Sequence, residues 1–233
     1  MADFQELKKT WTSYGKDEPL WSVLTDDKYK GSKNADIFYM SGKQEINNVI
    51  NLLVNDYNLH LNKETALDFG CGAGRLTRGL SDHFDTVLGV DISEPMIEFA
   101  EKHTDENNIR YIVNHKDNLE VINLKVDFIY SRIVLQHMKP LYMFRYLDEF
   151  SRILNKGGVM FIHIPTNRDL FAKIKYYIKK IFNIVNDGAM EMYGIEENEM
   201  IGWVHGNGIE IVDIVADDSV AGWSSNSYIL RKK

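Results

Sequence analysis

Ala66-Leu67-Asp68-Phe69-Gly70-Cys71-Gly72-Ala73-Gly74-Arg75 is the stretch whose reading decides the fold. A short apolar run, a glycine-rich turn and then Leu76 and Leu80 predict a buried strand over 65–69 and a helix over 74–82. Glycines at alternate positions remove side chains where a ligand must approach the backbone, and they permit the positive φ angles of a sharp turn. The N–H groups at the helix start then face whatever is bound. The spacing is D-x-G-x-G-x-G, whereas a dinucleotide-binding turn reads G-x-G-x-x-G. Downstream, a second strand over 86–90 ends in Asp91, where a ribose-binding acid belongs.

Working outward, helical spacing of Ile46, Val49, Ile50, Leu53, Val54 and Tyr57 predicts a helix over 43–57 against one sheet face. Beyond Asp91 follow a helix over 94–103, strands over 109–113 and 126–131, a helix around 141–154 and a strand over 159–164. Strands separated by helices imply a parallel, right-handed crossover sheet. Segments 209–215 and 227–230 read as an antiparallel hairpin at one edge. Residues 1–40 are aromatic-rich and read as irregular, either a cap over a site or a packed extension. Between 165 and 208, Ile174, Tyr177, Ile178, Ile181 and Val185 form one face of an amphipathic helix flanked by Lys173, Lys175, Lys179 and Lys180. That helix suits a lid, or a contact with anionic lipid or a phosphorylated substrate through 173–182.

The chain of 233 residues is long enough for one α/β domain with its own core. No apolar run approaches the roughly 20 residues of a membrane span, and the start lacks the features of a signal peptide. A single cysteine, Cys71, removes any intrachain disulfide framework and fits a reducing cytoplasm. A net charge of −7 disfavours broad attraction to nucleic acid.

The glycine loop with Asp68 and Asp91 resembles motif I and its downstream acid in class I S-adenosylmethionine (SAM)-dependent methyltransferases. The resemblance implies a doubly wound α/β fold: a mostly parallel seven-stranded sheet with an antiparallel edge strand, helices on both faces, and extra lid elements. It divides the single domain into a cap over 1–42, a SAM-binding core over 43–165, a lid or acceptor insertion over 166–208 and terminal strands over 209–233. It implies SAM as methyl donor and S-adenosylhomocysteine as product. Asp68, Gly70, Cys71, Gly72, Gly74 and Arg75 would form the loop beneath the methionine part, Asp91 would hold the ribose diol, and Ile92 and Met96 would border the adenine. Asp117 or Asn118 would meet the exocyclic amine; relatives often place an Asp directly after the third strand, where this chain reads Asn114-His115-Lys116-Asp117-Asn118.

Ser131 and Arg132, at the end of the fourth strand, resemble motif IV, and Leu135-Gln136-His137 resembles the leucine–x–histidine that follows it in small-molecule enzymes. His137 is the candidate general base, with His163 and His205 as rivals. A base matters when the nucleophile is a hydroxyl, which must lose a proton, and imidazole titrates in the useful range. Tyr14, Trp21, His137, Tyr193 and Trp223 are candidate acceptor-binding residues. The N-terminal Trp11 to Trp21 segment resembles bacterial enzymes acting on surface sugars or their precursors. The (Asp/Asn/Ser)-Pro-Pro-(Tyr/Phe) signature of amino-methylating nucleic-acid enzymes is absent after the fourth strand, and no His/Cys spacing suits zinc, so no metal is expected. The reading is a metal-independent methyl transfer to a small molecule, at oxygen before nitrogen. A protein or RNA methyltransferase and a non-catalytic SAM-binding regulator are the alternatives.

Overall fold

The computed structural model describes residues 2–168, 191–217 and 222–233; the amphipathic stretch over 171–185 lies outside these. Seven strands form one sheet in the order β3-β2-β1-β4-β5-β7-β6. They are β1 (Thr65–Phe69), β2 (Thr86–Asp91), β3 (Ile109–Val113), β4 (Val126–Ser131), β5 (Leu154–Arg168), β6 (Ile209–Ala216) and β7 (Trp223–Lys232). β1 to β5 run parallel, and β7 inserts antiparallel between β5 and the outermost strand β6. The order reverses between β1 and β4, which leaves a crevice above their carboxyl ends.

Helices α4 (Arg75–Leu80), α5 (Glu94–Lys102) and α6 (Pro140–Ile153) make the crossovers. One core layer, including Leu67, Leu88, Ile129, Leu147 and Phe150, fills one sheet face; the other, including Ile46, Leu80, Phe128 and Tyr130, fills the opposite face. This division follows from strand alternation, since Leu67 and its neighbour Ala66 point to different layers.

The N-terminal region is helical, which corrects its reading as irregular. It forms α1 (Ala2–Asp17), α2 (Pro19–Leu24), a 3-10 turn over Asp27–Ser32 and α3 (Ala35–Asn51), so the helix expected from residue 43 starts eight residues earlier. In α1, Phe4, Leu7, Trp11 and Tyr14 recur at steps of three and four residues. Thr10, Thr12 and Ser13 among them and Gly15 just after weaken helix propensity, and docking supplies what propensity lacks. Ser93 Oγ donates to the Trp11 carbonyl at 3.0 Å, and Gly15 sits where a Cβ would fall 2.6 Å from Ser93 Oγ. Among the described residues, α7 (Glu197–Gly206) starts with a capping box between Glu196 and Glu199.

α3 crosses α4 at Gly42, where an added Cβ would lie 2.1 Å from the Arg75 carbonyl oxygen. The neighbour is backbone and cannot swing away. Gly42→Ala is therefore expected to lower stability by about 3 kcal/mol through overpacking, read as a reduced urea midpoint.

Candidate active site

A cavity of about 400 Å³ opens above the carboxyl ends of β1, β2 and β4, roofed by α1 and the end of α2. Its floor is the loop after β1. Gly70, Gly72 and Gly74 have φ of 75°, 52° and 81°, a run of left-handed backbone that side chains other than glycine resist. Space demands glycine as well: a Cβ on Gly70 would lie 2.4 Å from the Val134 methyls, and one on Gly74 2.3 Å from the Tyr111 hydroxyl. Asp68 is buried under the loop and accepts from Thr77 Oγ1 at 2.6 Å. Burial pushes its pKa up to about 7.

Asp91 ends β2 at the cavity wall. Its Oδ2 accepts the Gly72 N–H and its Oδ1 the Ser93 N–H, each at 2.8 Å. One carboxylate thus fixes the glycine loop and the start of α5 in one register. Burial raises its pKa despite these bonds. A carboxylate offers about four lone-pair directions, so capacity for a further donor remains. Ile92, Met96, Cys71 and Arg75 line the same cavity. Burial raises the Cys71 thiol pKa well above its ordinary value, which keeps it protonated and inert.

Asp117 and Asn118 are not among the lining residues. Asn114 is buried in the wall, and its Nδ2 donates to the carbonyls of Asn118 at 2.7 Å and Lys116 at 3.2 Å. Braced from inside, the turn directs Asp117 to an ion pair with Arg145, and Asn118 Oδ1 accepts the Glu120 N–H at 3.2 Å. The cavity-wall residue here is Asn114, directly after β3, where the spacing alone offered a signal.

After β4, Ser131 Oγ donates to the Phe69 carbonyl at 3.2 Å and ties the strand ends together behind the cavity. Arg132 lines the cavity and is held by Glu45 at 3.2 Å and Asp217 at 3.4 Å. Glu45 also accepts from Tyr130 and Arg75, both at 2.8 Å. These two arginines hold its carboxyl below the usual range against its burial. Ile133 follows in the left-handed region at φ 60°, a strained conformation for a β-branched residue.

His137 lines the cavity and meets Trp11 edge-on, ring centroids 5.0 Å apart. Its Nδ1 lies 3.3 Å from the Glu191 carbonyl oxygen and its Nε2 3.2 Å from Gln136 Nε2. Burial pushes the imidazole pKa down to about 4, so the ring is neutral near pH 7. The rivals lie elsewhere. His163 is 1% exposed within β5 beside the Asp217, Arg132 and Glu45 charges, and His205 is exposed in the last turn of α7; neither is a lining residue.

Tyr14, Trp21, Tyr193 and Trp223 are also absent from the lining. Tyr14 packs on Trp11, Lys30 lies over the Trp21 ring, Tyr193 bonds Glu191, and Trp223 opens β7. Phe4, Leu7, Trp11, Val23, Leu24 and Met192 line the cavity instead. Among the described residues, no three His, Cys, Asp or Glu side chains gather as a metal centre, and no helix is long and apolar enough to cross a membrane.

The glycine cradle, Asp91 and the crevice at the strand reversal sit together in a Rossmann-like α/β fold. Residues 67–162 match the family described as Methyltransferase domain. The chain is 26% identical over 172 residues to a ubiquinone biosynthesis O-methyltransferase of Coxiella burnetii (strain Dugway 5J108-111), covering 72% of each chain. It is 29% identical over 177 residues to a demethylmenaquinone methyltransferase of Staphylococcus saprophyticus, covering 70% of this chain and 74% of that one. Magnesium protoporphyrin IX methyltransferase from Synechocystis PCC 6803 with bound S-adenosylhomocysteine shares the fold at a TM-score of 0.70 and 20% identity, over 99% of this chain and 100% of that one. Residues 67–162 thus form a methyltransferase domain, and the chain resembles class I, SAM-dependent methyltransferases in sequence and fold.

Proposed function

We propose that the protein methylates a hydroxyl on a small, largely apolar acceptor, with His137 as general base and no metal. The carrying observation is the His137 imidazole set in an apolar cavity wall with Phe4, Leu7, Trp11, Val134, Met138 and Met192. Such a wall favours a ring with few polar groups, because a polyhydroxylated sugar would leave buried hydroxyls unpaired. The similarity to a ubiquinone biosynthesis O-methyltransferase and a demethylmenaquinone methyltransferase supports a ring acceptor of this kind.

In this reading Asp91 receives the ribose hydroxyls, Ile92 and Met96 border the adenine, and the Gly70–Gly74 backbone runs under the methionine portion. Asn114 closes the adenine side in place of Asp117 or Asn118. When bound, SAM supplies an electrophilic methyl group on a sulfonium. The chain's own residues hold the acceptor oxygen in line, exclude water with α1 and the end of α2, and take the hydroxyl proton at His137. The basic stretch over 173–182 remains a candidate contact for an anionic surface, and a cytoplasmic location fits the single buried cysteine.

The test is methyl transfer from labelled SAM to a panel of phenols, nucleotide sugars, phosphorylated sugars and lipids. Turnover of hydroxylated rings is the expected result; exclusive turnover of nucleotide sugars or amines overturns the assignment. The acid side of the rate profile gives a second check. A base must be unprotonated, and burial holds His137 near a pKa of about 4. Turnover should therefore persist below pH 6 and fall as pH drops through roughly 4 to 5, well under the ordinary histidine value of about 6.5.

A further inference from the structure

The Gln136 side chain is a buried polar group in the cavity wall that the proposed chemistry leaves unused. The residue is 4% exposed, and its Oε1 is closed off from solvent with no hydrogen-bond partner. The orientation of its amide follows from a chain of donors. The Glu191 carbonyl only accepts, so His137 Nδ1, 3.3 Å away, carries the hydrogen. The ring is neutral, so Nε2 bears a lone pair, and the Gln136 group 3.2 Å from it is the amide nitrogen. Turning the amide over in the absence of ligand would set two acceptors face to face.

We propose that Gln136 is a positioning residue: its amide holds His137 as the Nδ1–H tautomer with an unprotonated Nε2, and its orphaned oxygen accepts a donor from the incoming acceptor molecule. This rests on the reading of His137 as base. The acceptor's O–H replaces the Gln136 N–H at Nε2, and the released amide turns its oxygen toward a second donor on the acceptor. The proton then passes to Nε2 as the acceptor oxygen forms its bond to the methyl carbon; the carbon–sulfur electron pair stays on sulfur, and the imidazolium returns the proton to water. The buried oxygen without a partner marks the ligand-free arrangement as the less favourable one. The other titratable side chains lining the cavity are Cys71, Arg75, Asp91, Arg132 and Tyr146, and Trp11, which packs on the ring, is uncharged. Burial favours the neutral ring.

The experiment is nitrogen-15 NMR of the histidine side chains in the full chain with S-adenosylhomocysteine and no acceptor, with His137 assigned by its loss in His137→Asn. The wild type should show the neutral Nδ1–H form at pH 7. Gln136→Glu places a carboxylate at Nε2 and should raise the His137 titration midpoint by roughly one to three pH units. Gln136→Leu should leave a mixture of the two neutral tautomers. Unchanged S-adenosylhomocysteine affinity establishes that each variant folds. A wild-type Nε2–H tautomer overturns the proposal, as does an unmoved midpoint in a Gln136→Glu protein that binds normally. If neither variant folds, the wild-type tautomer alone decides. Because no acceptor is present, these outcomes are separate from whether the substrate proves to be a hydroxyl.

Discussion

Asp91→Ala is expected to weaken SAM binding by roughly 100- to 1,000-fold, since two hydrogen bonds to a charged acceptor contribute about 1.5–3 kcal/mol each and their losses overlap. The effect is large because the carboxylate has two tasks. It is the proposed ribose ligand, and it already holds the Gly72 and Ser93 N–H groups at 2.8 Å. Removing it loosens the glycine floor as well as the ligand contact. Calorimetric titration with S-adenosylhomocysteine measures the affinity, and a thermal melt separates it from unfolding. Affinity within about twofold of the wild type, in a protein that still melts cooperatively, would refute the ribose role.

His137→Ala should lower kcat by about 100- to 10,000-fold, the range a positioned base supplies, while S-adenosylhomocysteine affinity changes little. The prediction separates the base from the cofactor machinery, because His137 touches the Trp11 edge and Gln136 rather than the glycine loop. Single-turnover measurement with labelled SAM reads the chemical step directly. A variant with full turnover would leave alignment and desolvation as the whole of the catalysis and remove His137 from it.

The cofactor half of the molecule was legible because its chemistry is local. Strand, glycine turn, helix and a following acid lie within residues 65–91, and each constrains backbone conformation in a way only a few residue types satisfy. The acceptor half was not, because it is assembled from distant segments. Trp11 and Met192 reach the same cavity as His137, and no period in the chain announces that meeting. The N-terminal helix was hidden by composition. Its apolar stripe from Phe4 to Tyr14 is interrupted by Lys, Thr and Ser, and the docking on Ser93 that supports it is a tertiary contact. α7 has a weak sequence pattern for a related reason: Met200 and Val204 are its only fully buried members among glutamates and glycines. Residue chemistry alone does not rank Asp117 against Asn118; in the fold Asn114 bonds inward to their turn, Asp117 pairs with Arg145 and Asn118 accepts the Glu120 N–H.

Ile133 carries an implication for how this protein could be engineered. A design aimed only at stability would place glycine at 133, because a β-branched residue in the left-handed region costs about 1–3 kcal/mol. The chain instead keeps a bulky side chain in the cavity wall at a position where the backbone disfavours one. Thermostabilised variants obtained without selection for turnover should accumulate glycine or asparagine there, and their acceptor range should broaden as that wall is lost.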